Sequence, residues 1–442
     1  MSQTREAAAK ALMQILDQDQ MSHLVIRKTV DEEAWQEADR AFFTRLTEGT
    51  LEKLLVIDPI LNEYSSTPVR KMKPFIRELL RSSVYQLLFM DSVPDRAVVN
   101  EAVKLAEKKG FRGLKGYVNA VLREVARKRD EGFFKDSKAE EVLPAWLKDH
   151  FEKTCGAEKT AQILASLQER EPLTVHRHRS RASREEVLSS LREQGVTASP
   201  GRYLKDEALI LPAGAALAKL NAFLKGWIQP QDESSQLAIL AAGIREGDRV
   251  LDVCAAPGGK TLFAADRVGA KGQVVACDIS EKKTSMIKEN AARAGFAQII
   301  PQVWDATVRK ETRVGAFDVV LADLPCSGLG IIGRKKDIRY KMTPEQMDEL
   351  SFLQRKILDT VWEYVKKDGV LLYSTCTINP KENEENRAYV LEHYPFVPVD
   401  LSGREEFAAF AGEESLKEGY LQLLPGVHGC DGFFFSVMKR YE

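Results

Sequence analysis

The sequence predicts an α/β protein: a Rossmann-like, doubly wound parallel sheet in the C-terminal half, preceded by an all-α bundle and a small α/β unit. Three observations carry that prediction. From about residue 227, short β-rich apolar runs alternate with helical segments, the pattern of a parallel sheet with crossover helices. Residues 1 to about 130 repeat their apolar positions at helical spacing and hold no convincing alternating segment. Between the two, Leu173-Thr-Val-His-Arg-His-Arg179 alternates like a strand. A chain of 442 residues exceeds one ordinary core. The expected division is 1–145, 146–226 and 227–442.

In the first segment, Ala8, Leu12, Ile15 and Leu16 make one stripe. Ile76, Leu79, Leu80, Val84, Leu87 and Leu88 make a second, after Pro74 at a helix start. Val118, Val121, Leu122 and Val125 make a third. Turn signals such as Ser92-Val-Pro-Asp95 leave short connections, so a compact bundle follows. The charged stretch near 131–170 reads as helical and ends at Glu171-Pro172. After the basic strand come a helix over Arg184–Gln194, a strand Ala208–Leu211 and a further helix to Phe223. The strands expected beyond are Arg249–Val253, Val274–Asp278, Ile299–Trp304, Phe317–Asp323, Gly369–Thr375 and Gly432–Val437.

Lys plus Arg number 64 and Asp plus Glu 65, so net charge gives no global reason to expect an anionic partner. The balance is uneven along the chain. Residues 104–129 hold nine Lys/Arg against Glu107 and Glu124, either a solvated helix face or a phosphate-contacting surface. A second cluster combines His176, His178, Arg177, Arg179, Arg181 and Arg184, and a third Arg334, Lys335, Lys336, Arg339 and Lys341. The six cysteines are scattered without a CxxC pair, and no apolar run reaches membrane-spanning length. A cytoplasmic protein with reduced thiols, no metal and no membrane partner is expected, acting as a monomer.

The first sheet strand runs into Asp252-Val-Cys-Ala-Ala-Pro-Gly-Gly-Lys-Thr261, a tight small-residue turn entering a helix at the carboxyl end of a strand, where open α/β sheets bind ligands. A P-loop would need glycine where Cys254 stands, and the dinucleotide motif GxGxxG is absent. The next three strands end in Asp278, Asp305 and Asp323. Acids there suit ribose hydroxyls, and several around one pocket suit a cation better than a triphosphate. S-adenosyl-L-methionine, a sulfonium nucleoside without phosphate, meets both conditions. Any one of these acids could instead cap the following helix.

Cys326, after the fourth strand, and Cys376, after the fifth, fall at strand tips that a crossover helix brings side by side. A thiolate there can add to carbon 6 of a pyrimidine and so make carbon 5 nucleophilic toward a methyl donor. Cys155, Cys277 and Cys430 read as small buried hydrophobes, and Cys254 as part of the turn geometry.

DVCAAPGGKT, DLPCSG and STCT, in that order and spacing, resemble the RNA cytosine-5 methyltransferase family, as does the lead-in Gln231-Asp-Glu-Ser-Ser-Gln-Leu237. Thr4-Arg-Glu-Ala and Val93–Ala102 resemble a NusB-like RNA-binding domain. The combination resembles enzymes that methylate a cytosine of 16S ribosomal RNA. The resemblance implies a class I S-adenosylmethionine methyltransferase sheet at 227–442, a NusB-like domain at 1–145 and an RRM-like unit at 146–226, with 16S ribosomal RNA or a small-subunit assembly intermediate as partner. It implies that Cys254, Ala255, Ala256, Pro257, Gly258, Gly259 and Lys260 hold the methionine and ribose portion, Asp278 the ribose hydroxyls and Asp305 the adenine end. Asp323 would lie nearest the methionine group and the target base. Cys376 would be the nucleophile and Cys326 would assist product release and carbon-5 proton removal. Strand-tip logic alone leaves the two thiol roles open, and it is the resemblance that favours Cys376. The sequence departs from the family at Leu324, commonly alanine, and at Thr174-Val-His-Arg-His-Arg, where Arg-Val-Asn is usual. The competing readings are a transfer-RNA cytosine-5 methyltransferase and a non-catalytic RNA-binding or antitermination-type protein.

Overall fold

The computed structural model describes residues 2–134, 142–169 and 172–442. The chain divides into two compact units, Met1–Lys153 with Ile332–Lys341, and Thr154–Ile331 with Met342–Glu442. The expected end of the charged helical stretch, at residues 170–171, and its portion at 135–141 lie outside the described residues.

The first unit is a bundle of the helices Ser2–Leu16, Ser22–Glu32, Glu37–Glu52, Leu54–Tyr64, Pro74–Phe89, Asp95–Lys108 and Lys115–Asp130. Pro74 opens its helix in the first turn, where its missing N–H costs nothing. All three expected stripes point into one core, with only Leu16 half-buried at its edge. Helical spacing is legible at Lys115–Asp130 because that helix buries a single face, and it persists at Pro74–Phe89 although that helix is buried on nearly every side.

Most of the basic residues read from 104–129 are ion-paired in the folded unit. Lys108 and Lys109 pair with Glu6, Lys104 with Glu101, Arg112 and Lys115 with Glu107, Lys128 and Arg127 with Glu131, and Arg129 with Asp95. Most of those acids lie outside the sequence window that made the segment look basic, so the structure favours the solvated face. The cluster at 334–341 is likewise used internally. Lys336 pairs with Glu52, and Lys341 with Asp19 at 3.3 Å. Arg339, fully buried, donates to the Val142 carbonyl at 2.9 Å. These three residues brace the helical unit and are not a free guide for RNA.

The second unit contains two sheets. The smaller comprises β1 (Leu173–Arg177), β2 (Ser199–Pro200), β3 (Ala208–Leu211) and β4 (Ile228–Pro230), all antiparallel in the order β2-β3-β1-β4. The helix Arg184–Glu193 carries a capping box from Ser183 and Glu186. The helix expected up to Phe223 is only a 3-10 turn, Leu217–Lys219, and one turn at Asn221–Leu224. β4 lies beyond the expected boundary at 226/227 and pairs with β1, since three residues carry no readable period.

The basic strand is a correction. Val175 faces the small core as alternation requires, but the opposite face is also covered: His176 stacks on Phe263 and His178 meets Phe296 edge-on, both histidines fully buried. Arg177 is buried and donates to the Ala182 and Asp206 carbonyls, and Arg179 pairs with Glu207. Polar alternation therefore marks a second packed face here, not a solvent-facing basic one.

The larger sheet adds β5 (Arg249–Asp252), β6 (Gln273–Asp278), β7 (Ile299–Val303), β8 (Phe317–Asp323), β9 (Val365–Thr375), β10 (Phe396–Pro398), β11 (Tyr420–Leu423) and β12 (Phe433–Arg440). Its order is β10-β12-β9-β8-β5-β6-β7, with β11 also on β12. β7, β6, β5, β8 and β9 are parallel, while β12 joins β9 antiparallel. Alternate residues feed two cores: Val250, Val274, Val319 and Leu321 face one helical layer, and Leu251, Val275, Val320 and Ala322 the other. That is the doubly wound arrangement expected. β10 and β11, only three and four residues long, were not foreseen.

Candidate functional site

The order β9-β8-β5-β6-β7 aligns the carboxyl ends of five parallel strands, and the residues singled out in sequence gather there. After β5 the chain turns through Cys254–Gly258 into the helix Gly259–Val268. Gly258 sits at φ 108°, a left-handed conformation that a side chain would strain. The turn is tied to its neighbour strand: Ala255 N donates to the Cys277 carbonyl at 2.8 Å and Ala256 N to Asp278 Oδ2 at 3.2 Å. Pro257 precedes Gly258, and its carbonyl accepts from Asn290. Gln229 Nε2, in the lead-in to this unit, donates to the Gly259 carbonyl at 2.7 Å.

Asp278 also accepts from its neighbour Ile279 N at 2.8 Å and pairs with Lys283 at 3.2 Å. Asp305, two residues past β7, accepts from Thr307 N and Oγ1 at 2.9 and 2.7 Å, and these bonds hold its carboxyl below the ordinary value. Asp323 receives Lys260 Nζ at 2.8 Å on one oxygen and Ser374 Oγ at 2.8 Å on the other. Lys260 is thereby neutralised and also lies 4.7 Å from the centre of the Phe433 ring, which argues against the P-loop reading, where a lysine must serve phosphates. Small residues around a left-handed glycine and carboxylates on neighbouring tips fit a cationic nucleoside. The cradle of Cys254–Lys260, with Asp278, Asp305 and Asp323, is the set that would hold S-adenosyl-L-methionine. Burial pushes the Cys254 thiol well up, so it stays protonated and unreactive.

Asp252, one strand-end behind this cradle, is fully buried; its Oδ2 accepts from Thr261 Oγ1 at 2.7 Å and its Oδ1 has no partner among the described residues. Burial pushes its carboxyl up from 3.8 to about 7. The unfolded chain ionises this group near 3.8, so its contribution to stability is full below that value and is lost as pH rises through 7. Asp252→Asn is expected to gain about 2 kcal/mol relative to the parent protein between pH 5 and pH 8, measured by urea unfolding at both values.

β8 and β9 are neighbours, with Asp323 opposite Ser374. Three residues past Asp323, Cys326 Sγ lies 3.2 Å from Cys376 Sγ, and both thiols are half-buried. The following residues are tied as well, Ser327 Oγ to Thr377 Oγ1 at 2.7 Å. Gly330 N donates to the Cys376 carbonyl and Gly432 N to the Gly330 carbonyl, an approach so close that a Cβ on Gly330 would lie 2.0 Å from the Gly432 oxygen. The hydrogen bond with Cys376, then burial, pushes the Cys326 thiol well up. Either sulfur can be the donor in the contact between them.

Sequence reasoning missed the residues that support this pair. Glu382, fully buried, accepts from Ser327 N, Asn379 Nδ2 and Gln354 Nε2, each at 2.9 Å, and from Ser327 Oγ. Asn383 accepts from Thr375 Oγ1 and donates to the Thr377 carbonyl at 3.0 Å. A run reading Asn-Pro-Lys-Glu-Asn-Glu-Glu-Asn looks like a solvated loop, and its lack of any period hid the burial of Asn379, Glu382, Asn383 and Asn386.

Comparison with known proteins gives the following matches. A family model described as 16S rRNA methyltransferase RsmB/F matches residues 239–439, a NusB family model residues 2–127, and an RsmF/B-like ferredoxin-like domain residues 143–217. A probable ribosomal RNA small subunit methyltransferase B of Bacillus subtilis is 33% identical, over 99% of this chain and 98% of its own. The crystal structure of PH0851 superposes with a TM-score of 0.84 at 25% identity, over 100% of this chain and 99% of that one. A methyltransferase homolog from Pyrococcus horikoshii superposes with a TM-score of 0.55 at 26% identity, covering 66% and 93% of the two chains.

Proposed function

Since this chain belongs to the RsmB/F family of 16S rRNA methyltransferases, we propose that it transfers a methyl group from S-adenosyl-L-methionine to carbon 5 of a cytosine in 16S ribosomal RNA through a covalent adduct with Cys376. By family resemblance, the cytosine would be that at position 967 in the usual numbering of that RNA. The observation that carries the reading is the pair of thiols 3.2 Å apart at neighbouring strand tips, beside an aspartate already paired with the lysine of the glycine turn.

Bound in the cradle, S-adenosyl-L-methionine supplies a methyl group on a sulfonium centre. Cys376, as thiolate, adds to carbon 6 of the ring, and the electron pair of the 5,6 double bond moves to carbon 5 and takes the methyl group. Cys326 S–H first stabilises the thiolate by hydrogen bonding. Having passed its proton to solvent once Cys376 is bonded to carbon, Cys326 takes the carbon-5 proton. The bond from Cys376 to carbon 6 then breaks, and its electron pair returns to sulfur. The net proton goes to solvent, which balances the charge lost by the sulfonium. Asp323, clamped by Lys260 and Ser374, would lie beside the base. Residues 1–145 and 146–226 hold RNA, and 227–442 perform the chemistry.

Bisulfite sequencing of total RNA from cells with and without the protein tests the assignment. The expected result is one protected cytosine lost from 16S RNA; a loss confined to transfer RNA would move the substrate, and no loss anywhere would favour a non-catalytic RNA-binding protein.

A further inference from the structure

The junction between β1 and the helix Gly259–Val268 holds a cluster that the methyl-transfer reading does not use. His176, on β1, His178, one residue past its end, and Asp266, on the helix, each offer one ligand atom within 4.8 Å of the other two. His176 Nδ1 lies 3.2 Å from Gln236 Oε1, and Gln236 Nε2 is committed to the Gln231 carbonyl at 2.9 Å. The amide therefore presents its oxygen, His176 carries its proton on Nδ1, and the lone pair of Nε2 is left over. That atom is buried and has no hydrogen-bond partner among the described residues, and the same holds for both ring nitrogens of His178. Three orphaned nitrogens in one sealed place are rare in folded proteins.

From this geometry we propose that His176, His178 and Asp266 form a site for a single divalent transition-metal ion of the zinc type, joining the small sheet to the helix that begins at the glycine turn. Two imidazoles and a carboxylate are a usual three-ligand set for zinc, with the remaining position taken by water. A tetrahedral ion with bonds of about 2.0–2.1 Å draws its ligands to roughly 3.4 Å of one another, within reach of small side-chain adjustments from the spacing seen. The supporting contacts are of the kind that orient metal ligands. Gln236 fixes the His176 tautomer, while Asp266 accepts from Arg179 N at 2.8 Å and Ser180 N at 3.0 Å, so its carboxylate is aimed before any ion arrives. Neighbouring guanidinium groups are engaged elsewhere: Arg179 with Glu207, and Arg293 with the Phe223 carbonyl at 2.7 Å. Phe263 and Phe296 close the sides, and only Asp266 is partly open to solvent. The sequence reading expects no metal, because two histidines on one short strand look like part of a basic run until the helix brings the carboxylate.

The test uses the full chain, stripped with a chelator and titrated with Zn²⁺, and with Co²⁺ as a spectroscopic probe. The expected result is one equivalent of zinc bound, a raised melting temperature, and a cobalt spectrum with tetrahedral d–d bands but no thiolate charge-transfer band. The stoichiometry should survive in a Cys326→Ala/Cys376→Ala variant, which removes the competing thiol pair. His178→Ala should abolish binding. Asp266→Asn, at the partly open position and keeping an acceptor oxygen for one of its two backbone contacts at 179–180, should weaken binding by about tenfold or more, which decides the matter even if the histidine variant fails to fold. Absence of zinc binding by the parent chain, as for a site filled by water, would overturn the proposal. So would unchanged affinity in Asp266→Asn, or loss of the metal on removing the two cysteines.

Discussion

Replacing Cys376 with alanine is expected to lower methyl transfer by about 10³-fold or more while leaving the fold intact. Carbon 5 of cytosine is a poor nucleophile until a group adds at carbon 6, and without Cys376 the remaining sulfur, Cys326, is still pushed toward its protonated form by burial. The companion change separates the two roles. Cys326→Ala leaves the attacking thiol and should allow addition and methylation, but it slows release, so a covalent protein–RNA complex should accumulate and migrate slowly on a denaturing gel. Cys376→Ala should give no such band. An adduct with Cys376→Ala and none with Cys326→Ala would reverse the assignment. At 3.2 Å the two sulfurs are too close for either substitution to act on one residue alone, so the double variant should be no worse than Cys376→Ala.

The second large effect is expected at Glu382, which touches no reacting atom in this reading and acts through the loops it holds. Glu382→Ala would strip acceptors from Ser327 N, Asn379 Nδ2 and Gln354 Nε2 in a fully buried place. Each stranded buried donor costs about 1–3 kcal/mol, so a loss of about 3–5 kcal/mol of unfolding free energy is expected, measured by urea denaturation. Glu382→Gln retains an acceptor oxygen but offers an N–H where donors converge, and should fall between the two. Where Glu382→Gln still folds, adduct formation should fall more than cofactor binding, because the carboxylate sets the Ser327–Thr377 contact that spaces the thiols. Equal loss of both would mean a general structural role.

The parts of the fold that could be read in advance share a physical property: each buries one face or one run in a regular element. The helical stripes at Ala8–Ile15, Ile76–Leu88 and Val118–Val125, and the apolar strands before Asp278 and Asp323, carry a period because the backbone geometry imposes one. The glycine turn and the two cysteines were legible because left-handed backbone and half-buried thiols at strand ends demand particular residue types. β10, β11 and β4 were not, being too short to show a period.

Charge was the poorest guide. Net neutrality concealed basic clusters, and the clusters in turn concealed their partners, since Glu6, Glu52 and Glu207 lie far from their cations in sequence. The amino-acid sequence by itself determined a helical N-terminal segment, a doubly wound C-terminal sheet, a glycine turn at Cys254–Lys260 and two candidate thiols, because those follow from local geometry and residue chemistry. Only the tertiary structure decided that the two sulfurs meet at 3.2 Å, that Lys260 belongs to Asp323, that Glu382 lies under both cysteine loops, and that His176 and His178 face Asp266 rather than solvent. Each of these depends on which distant atoms meet in a low-dielectric interior, where a partner or its absence outweighs any property of the residue alone.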